Sequence, residues 1–362
     1  MKLTATVKLL PTAEQRQLLF QTIEHTNHAC NWISEQAWQT QTFNTVRLHH
    51  QVYYPVREQF DLTAQVVVRG IGKVSNAYKT RRKTIVRFKK LGAVIYDDRI
   101  LYWHTDEVSI WTLTGRQEIR FVCGEQQRWL LHYQHGESDL IYRKGEFYLM
   151  ATCDVPEDAA IDPEGFLGVD LGIKNIAVDS DGNIHSARHL LNVRHRHRRL
   201  RRKLQQKRTW SALRKLKALS GKERRFAHDV NHCISKRLVH IAKDTGRGIA
   251  LEDLKGIRDR VTFPRKRRNT LHSWSFGDLR FKIEYKAHHT GVPVALVDPR
   301  NTSRECSCCH HIDRGNRLTQ SSFKCTSCGF VSHADVNAAI NIGCRASVNT
   351  PYADRVLGVN PA

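Results

Sequence analysis

Four cysteines and three carboxylates are the residues of this chain whose types and spacing point to chemistry. Cys306-x2-Cys309 is followed, fifteen residues later, by Cys325-x2-Cys328. Each pair can sit on a tight turn that aims two thiolates at one point, and two such turns close a tetrahedron around zinc. With all four positions filled, no place is left for a substrate, so the ion is expected to be a folding staple. Cys308 and His310 share the first turn and stand as alternative ligands, although the two-residue gap favours Cys306 and Cys309. Incidental cysteines and a redox pair are the other readings, and two matched pairs speak against both.

The carboxylates are Asp170, Glu252 and Asp335, which lie 82 and 83 residues apart. Asp170 sits inside the apolar stretch "FLGVDLGIKNIAV", with no Lys or Arg within three positions on either side. An ionised carboxylate in such surroundings is costly unless something compensates it. Glu252 closes a second apolar strand, "IALE", and Asp335 opens the alanine-rich helix "HADVNAAINI". Taken alone, Glu252 reads as a strand end and Asp335 as a helix N-cap. Taken together on core elements of one α/β domain, three acids that would repel one another call for a shared divalent cation. Oxygen ligands favour Mg²⁺ or Mn²⁺.

Charge supplies the context. The 362 residues hold 58 Lys and Arg against 35 Asp and Glu, a formal net charge of +23. Residues 188–225 concentrate it, with sixteen basic residues against the single acid Glu223. Arg196, Arg198, Arg199, Arg201, Arg202 and Lys203 form its densest run, and Arg265, Lys266, Arg267 and Arg268 a second one after Glu252. Solubility does not need such clustering; counterion release from a phosphate backbone rewards it. Acids that hold two metals beside a cationic surface describe phosphodiester hydrolysis. Apolar residues make up 40% of the chain, without an uninterrupted apolar run of the ~18 residues that a membrane span needs. The N-terminus lacks a signal-peptide pattern. A cytoplasmic protein that is nucleoid-associated when bound to DNA is the expectation.

The elements that must position these groups can be read from periodicity. "KLTATVKL" alternates as an amphipathic strand, and Thr12 with Gln15 forms a capping box that opens a helix over residues 12–40. Residues 62–80 are a second helix, and 41–61 fit neither pattern cleanly. Between 85 and 155, short strands follow one another, including one on each side of Asp97-Asp98 and of Lys144-Gly145. This predicts a β-barrel-like module that includes strand 2–10 and carries an inserted helical segment. Residues 156–165 read as an acidic linker. Strands at 166–171, 175–179, 184–186, 248–254 and 292–298, with helices over 188–245, 275–290 and from about 335, predict an α/β domain. No internal repeat is present.

At this point the residues resemble a known family. "GVDLGIKNIAV", "IALEDLKGIR", "LHSWSFGDLRFKIEYKAHHTGVPV", "VDPRNTSRECSCC", "CTSCG" and "HADVNAAINI" are similar, in order, to the hallmark segments of TnpB (OrfB), the RuvC-like proteins of small insertion sequences. The likeness runs from about 166 to 343 and is looser before that. It implies an α/β plus β architecture. A split RuvC, ribonuclease H-like, nuclease domain (161–300 and 331–345) would carry an inserted zinc ribbon that binds target nucleic acid (301–330). A β-barrel wedge domain (1–10 and 81–160) with an inserted helical recognition domain (11–80) would precede it, and a flexible tail (346–362) would follow.

The same resemblance implies a transposon-encoded, RNA-guided DNA endonuclease related to the ancestors of type V CRISPR effectors. Asp170, Glu252 and Asp335 match the three catalytic acids in order. The implied cofactors are Mg²⁺ (or Mn²⁺), structural Zn²⁺ and a guide RNA. The implied partners are that RNA and double-stranded target DNA, with one protomer rather than a dimer on each RNA. Arg304 and the Arg265–Arg268 run are candidate lid or strand contacts. An RNA-guided repressor that binds without cutting is one alternative, against which the intact acids speak. An unguided RuvC-type nuclease or transposase is another.

Overall fold

The alternation in β1 (Lys2–Leu9) buries Ala5, Val7 and Leu9 completely. The chain is described here from a computed structural model covering residues 1–254 and 276–349, in two compact units, Met1–Pro156 and Glu157 onward. In the first unit, β1 is followed by α1 (Ala13–Gln39), α2 (Thr45–Phe60) and α3 (Ala64–Thr80). Both halves of the Thr12–Gln15 capping box are formed, and Leu19, Ile23, Cys30, Ile33 and Ala37 are buried along α1. The ambiguous stretch is α2. Asn44 caps it by accepting from the Val46 and Arg47 N–H groups, and Leu48, Val52, Val56 and Phe60 form a buried stripe at four-residue spacing. Pro55 lies on its exposed side.

Strands β2 (Val94–Tyr96), β3 (Leu101–Trp103), β4 (Glu107–Thr112) and β5 (Gly115–Val122) follow. The short α4 (Glu125–Leu131), which the sequence pattern did not suggest, precedes β6 (Gln134–Arg143) and β7 (Glu146–Asp154). The sheet order is β2-β6-β7-β1-β5-β4-β3. The strands flanking Asp97-Asp98 are therefore not hairpin partners but opposite edges of the sheet. Only residues 97–100 join them, a reach of at most ~18 Å from Tyr96 to Leu101. The sheet must curl until its edges meet, giving a nearly closed barrel.

The second unit has β8 (Phe166–Asp170), β9 (Asn175–Asp179), β10 (Ile184–Ser186), α5 (Arg188–Lys207), α6 (Trp210–Leu219), α7 (Lys222–Asp244) and β11 (Gly248–Glu252). Beyond residue 275 come α8 (Phe276–His289), β12 (Val294–Val297), β13 (Ser322–Lys324), β14 (Val331–His333) and α9 (Ala334–Asn349). The presumed linker is tied down rather than free. Asp158, Ile161 and Glu164 donate backbone N–H groups to the carbonyls of His289, Gly291 and Gly246.

The main sheet runs β10-β9-β8-β11-β12, with β8, β11 and β12 parallel. Period-two alternation separates its faces. Leu167, Val169, Ile249 and Leu251 pack with Ile234, Leu238, Leu279 and Ile283 of α7 and α8. Phe166 and Ala250 pack instead with Ile342 and Ala346 of α9. Gly168 permits that close approach, because a Cβ there would lie 1.9 Å from the Ala339 carbonyl oxygen. Among the described residues, no helix is long and apolar enough to cross a membrane.

Candidate active site and cysteine cluster

The topology brings the three acids to one place. Asp170 and Glu252 end adjacent parallel strands whose register pairs Val169 with Leu251. Alternation turns both toward the face that α9 covers, at the carboxyl ends of the strands, where open α/β sheets bind ligands. Asp335 lies in the first turn of α9 and is 6% exposed. It is not a simple helix cap. Its carboxylate accepts from Asn175 Nδ2 at 2.9 Å and from Arg317 Nη2 at 3.0 Å.

The electrostatics are those of crowded acids. Asp170 is pushed up to about 7, first by burial, then by the charges of Glu252 and Asp335, with Arg317 opposing. No described residue donates a hydrogen bond to its carboxylate. Burial also raises Glu252, against the hydrogen bond it accepts from Thr302 Oγ1 at 2.5 Å. A carboxylate with like-charged neighbours and no donor suits a divalent cation, and this donor set is hard and oxygen-only. The three acids nevertheless do not converge as tightly as the cysteines, the only such group among the described residues whose ligand atoms all lie within 4.8 Å of one another.

That quartet is Cys306, Cys309, Cys325 and Cys328. Sγ separations of 3.7 Å (Cys306 to Cys328) and 3.5 Å (Cys309 to Cys325) approach the ~3.8 Å edge of a tetrahedron with Zn–S bonds of about 2.3 Å. Cys325 is pushed down to about 6, chiefly by the N–H of Cys328, with Ser327 adding to it. A thiolate is the form that binds metal. Neither alternative ligand belongs to the quartet. Cys308 is exposed, and His310 pairs through Nδ1 with Glu305 at 3.0 Å. His310 also stands at φ +61°, a left-handed position that glycine fills without strain.

The basic helix is as exposed as its composition suggests. Arg196, Arg198, Arg199, Arg201, Arg202 and Lys203 of α5 all face solvent, while Arg194 is buried against Glu223. Arg304 is exposed, whereas Thr302, two residues earlier, is buried and donates to Glu252. Arg265, Lys266, Arg267 and Arg268 lie outside the described residues. Asn175, Thr302 and Arg317 hold the acids, and sequence reasoning passed over all three. "TSREC" offered Thr302 beside Arg304, but charge drew attention to the arginine.

Both parts of the site lie in segments that match known families. Residues 151–256 match the OrfB family of IS605 elements, described as "probable transposase", and residues 276–342 match the Cas12f1-like TNB domain. A TnpB-like protein of Methanocaldococcus jannaschii is 35% identical over 205 residues, covering 52% of this chain and 72% of that protein. The chain belongs to the TnpB family. Asp170 and Glu252 fall in the OrfB match; Asp335 and the cysteine quartet fall in the TNB match.

Similarity extends to a protein of Sulfoacidibacillus thermotolerans named CRISPR-associated endodeoxyribonuclease Cas12f1, 35% identical over 246 residues and covering 62% of this chain. It also extends to the putative RNA-guided DNA endonuclease InsQ of Escherichia coli, 25% identical over 218 residues, covering 55% of this chain and 53% of InsQ. The chain spans about half the length of the curated Cas12f1 relatives it matches, 55% and 50%. In fold it resembles the Cas12f1 chain of a complex with single-guide RNA and target DNA, with a TM-score of 0.61 at 18% identity over 90% of this chain and 81% of that one.

Proposed function

We propose that this TnpB-family chain is an insertion-sequence-encoded, RNA-guided DNA endonuclease whose ribonuclease H-like (RuvC) domain hydrolyses phosphodiester bonds. The convergence of Asp170, Glu252 and Asp335 at the carboxyl ends of β8 and β11 carries this reading. These acids would hold Mg²⁺ or Mn²⁺, which supplies an activated water and neutralises charge at the leaving oxygen. Asp170, pushed up to about 7 by burial and by the charges of Glu252 and Asp335, would give up its carboxyl proton to serve as a ligand. Asn175 orients Asp335.

The exposed arginines of α5 would grip the guide and its heteroduplex by their phosphates. In the first unit, the barrel would serve as the wedge and α1–α3 as the recognition domain. The cysteine quartet would hold zinc as the staple of the target-binding ribbon. One protomer would act on each RNA, in a prokaryotic cytoplasm.

The test is to express the protein with its native flanking DNA and sequence the RNA that copurifies. A defined RNA ending in a segment that specifies the target is expected. Protein that carries no defined RNA would falsify the guided reading and leave an unguided nuclease.

A further inference from the structure

Glu252 is held by a hydroxyl that the chemistry above does not require. Thr302 is 3% exposed and has one proton to give. Two acceptors lie near it, Glu252 Oε1 at 2.5 Å and the Pro299 carbonyl at 3.1 Å, and the carboxylate is the nearer and the charged one. The backbone of Thr302 is fixed in turn. Its carbonyl accepts from Asn341 Nδ2 at 3.0 Å, and the same amide donates to Glu305 O at 2.8 Å. One helical turn earlier, Asn337 donates to Glu305 O at 2.8 Å and accepts at 3.0 Å from Ser307 N–H, which lies inside the first cysteine turn. Arg345 completes the seam through the carbonyls of Asp298 and Arg300 and the carboxylate of Glu305.

Asn337, Asn341 and Arg345 all stand on α9, whose first turn carries Asp335. The loop from β12 into the cysteine turn is thus hung on the helix that presents one acid, and its buried hydroxyl orients another. Asn337 and Asn341 are 0% and 2% exposed, so their hydrogen bonds do not compete with bulk water.

We infer that Thr302 is a positioning residue for Glu252, and that the cysteine turn, acting through Asn337 and Asn341, sets its position. Filling of the cysteine quartet then governs how tightly the carboxylates hold a divalent cation. This rests on the reading of the three acids as a Mg²⁺ or Mn²⁺ site.

Calorimetric titration of the full chain with Mn²⁺, alongside its zinc content and unfolding midpoint, tests the inference. Thr302→Val removes the hydroxyl and keeps the shape. It is expected to weaken Mn²⁺ binding about 10-fold or more, as loss of an outer partner of a metal ligand does, with zinc and midpoint unchanged. Thr302→Ser restores binding. Should the valine disturb folding, Thr302→Ala against Thr302→Ser makes the same comparison. Cys325→Ser is expected to lose zinc and weaken Mn²⁺ binding together. Wild-type affinity in Thr302→Val, or no rescue by serine, overturns the positioning role. Wild-type Mn²⁺ affinity in zinc-free Cys325→Ser overturns the coupling. If wild-type protein shows no Mn²⁺ site that Asp170→Ala removes, the metal reading of the acids falls as well.

Discussion

The two candidate metal sites of the second unit are built in opposite ways. The cysteine quartet is supplied by two turns of one short segment, with sulfurs already at tetrahedral spacing and a thiolate steadied by backbone N–H groups. The carboxylates come from two strands and a helix far apart in sequence. They are partly neutralised by Arg317, and burial together with the neighbouring acids still pushes Asp170 up to about 7. The first arrangement is closed and suits an ion that never leaves. The second gathers like charges and suits a divalent cation. A site for structure can be complete in itself, whereas a site for turnover stores unfavourable charge that its ligands relieve.

The largest effect that separates the two sites is on cleavage. Asp170→Ala should lower guided DNA cleavage by at least about 10³-fold, since losing even one electrostatic stabiliser of a transition state costs on the order of 10²–10³. RNA-dependent DNA binding, read by gel shift, should survive. Cutting that persists in Mg²⁺ would remove Asp170 from the site. Cys325→Ser strikes the other site. Zinc should be lost, and amide exchange should accelerate across residues 301–333, because a structural zinc contributes folding energy outright. Retained zinc would break the distinction between quartet and alternative ligands.

Gly168→Ala probes the packing that brings Asp335 to Asp170. A Cβ 1.9 Å from the Ala339 oxygen forces α9 off β8, and denaturant unfolding should show a loss of about 1–3 kcal/mol or more. A neutral result would mean that α9 does not lie on β8 as described.

A further effect is on pH dependence. A carboxyl whose folded pKa exceeds its unfolded value binds more protons when folded, so its contribution to stability is present below about pH 4. That contribution is lost as pH rises through about 7. Metal-free protein should therefore lose stability across that window, and Mg²⁺ should reduce the loss. Identical slopes in wild type and Asp170→Asn would contradict the raised pKa.

What the sequence revealed follows the same divide. Cys306-x2-Cys309 and Cys325-x2-Cys328 were readable because a local turn sets their geometry. The three acids were readable as a set because each interrupts an apolar element, but their meeting depends on sheet order and on Gly168. Thr302, Asn175 and Arg317 were not readable, because polar residues in loops and at strand ends acquire a role only from what the fold lays beside them. The stripe Leu48, Val52, Val56, Phe60 was present in the sequence, yet Pro55 obscured it until the structure placed the proline on the solvent side. A strand on each side of Asp97 was readable, and nearness in sequence usually means pairing. Barrel closure put them at opposite edges instead.

The central claim is that these acids cut DNA where a bound RNA directs them. It is tested most directly by incubating the purified protein and its RNA with two plasmids, one matching the RNA's guide segment and one scrambled, in Mg²⁺ and in excess chelator. Cleavage of the matched plasmid alone, and only in Mg²⁺, is the predicted result. Equal cutting of both plasmids, or cutting in chelator, would contradict it.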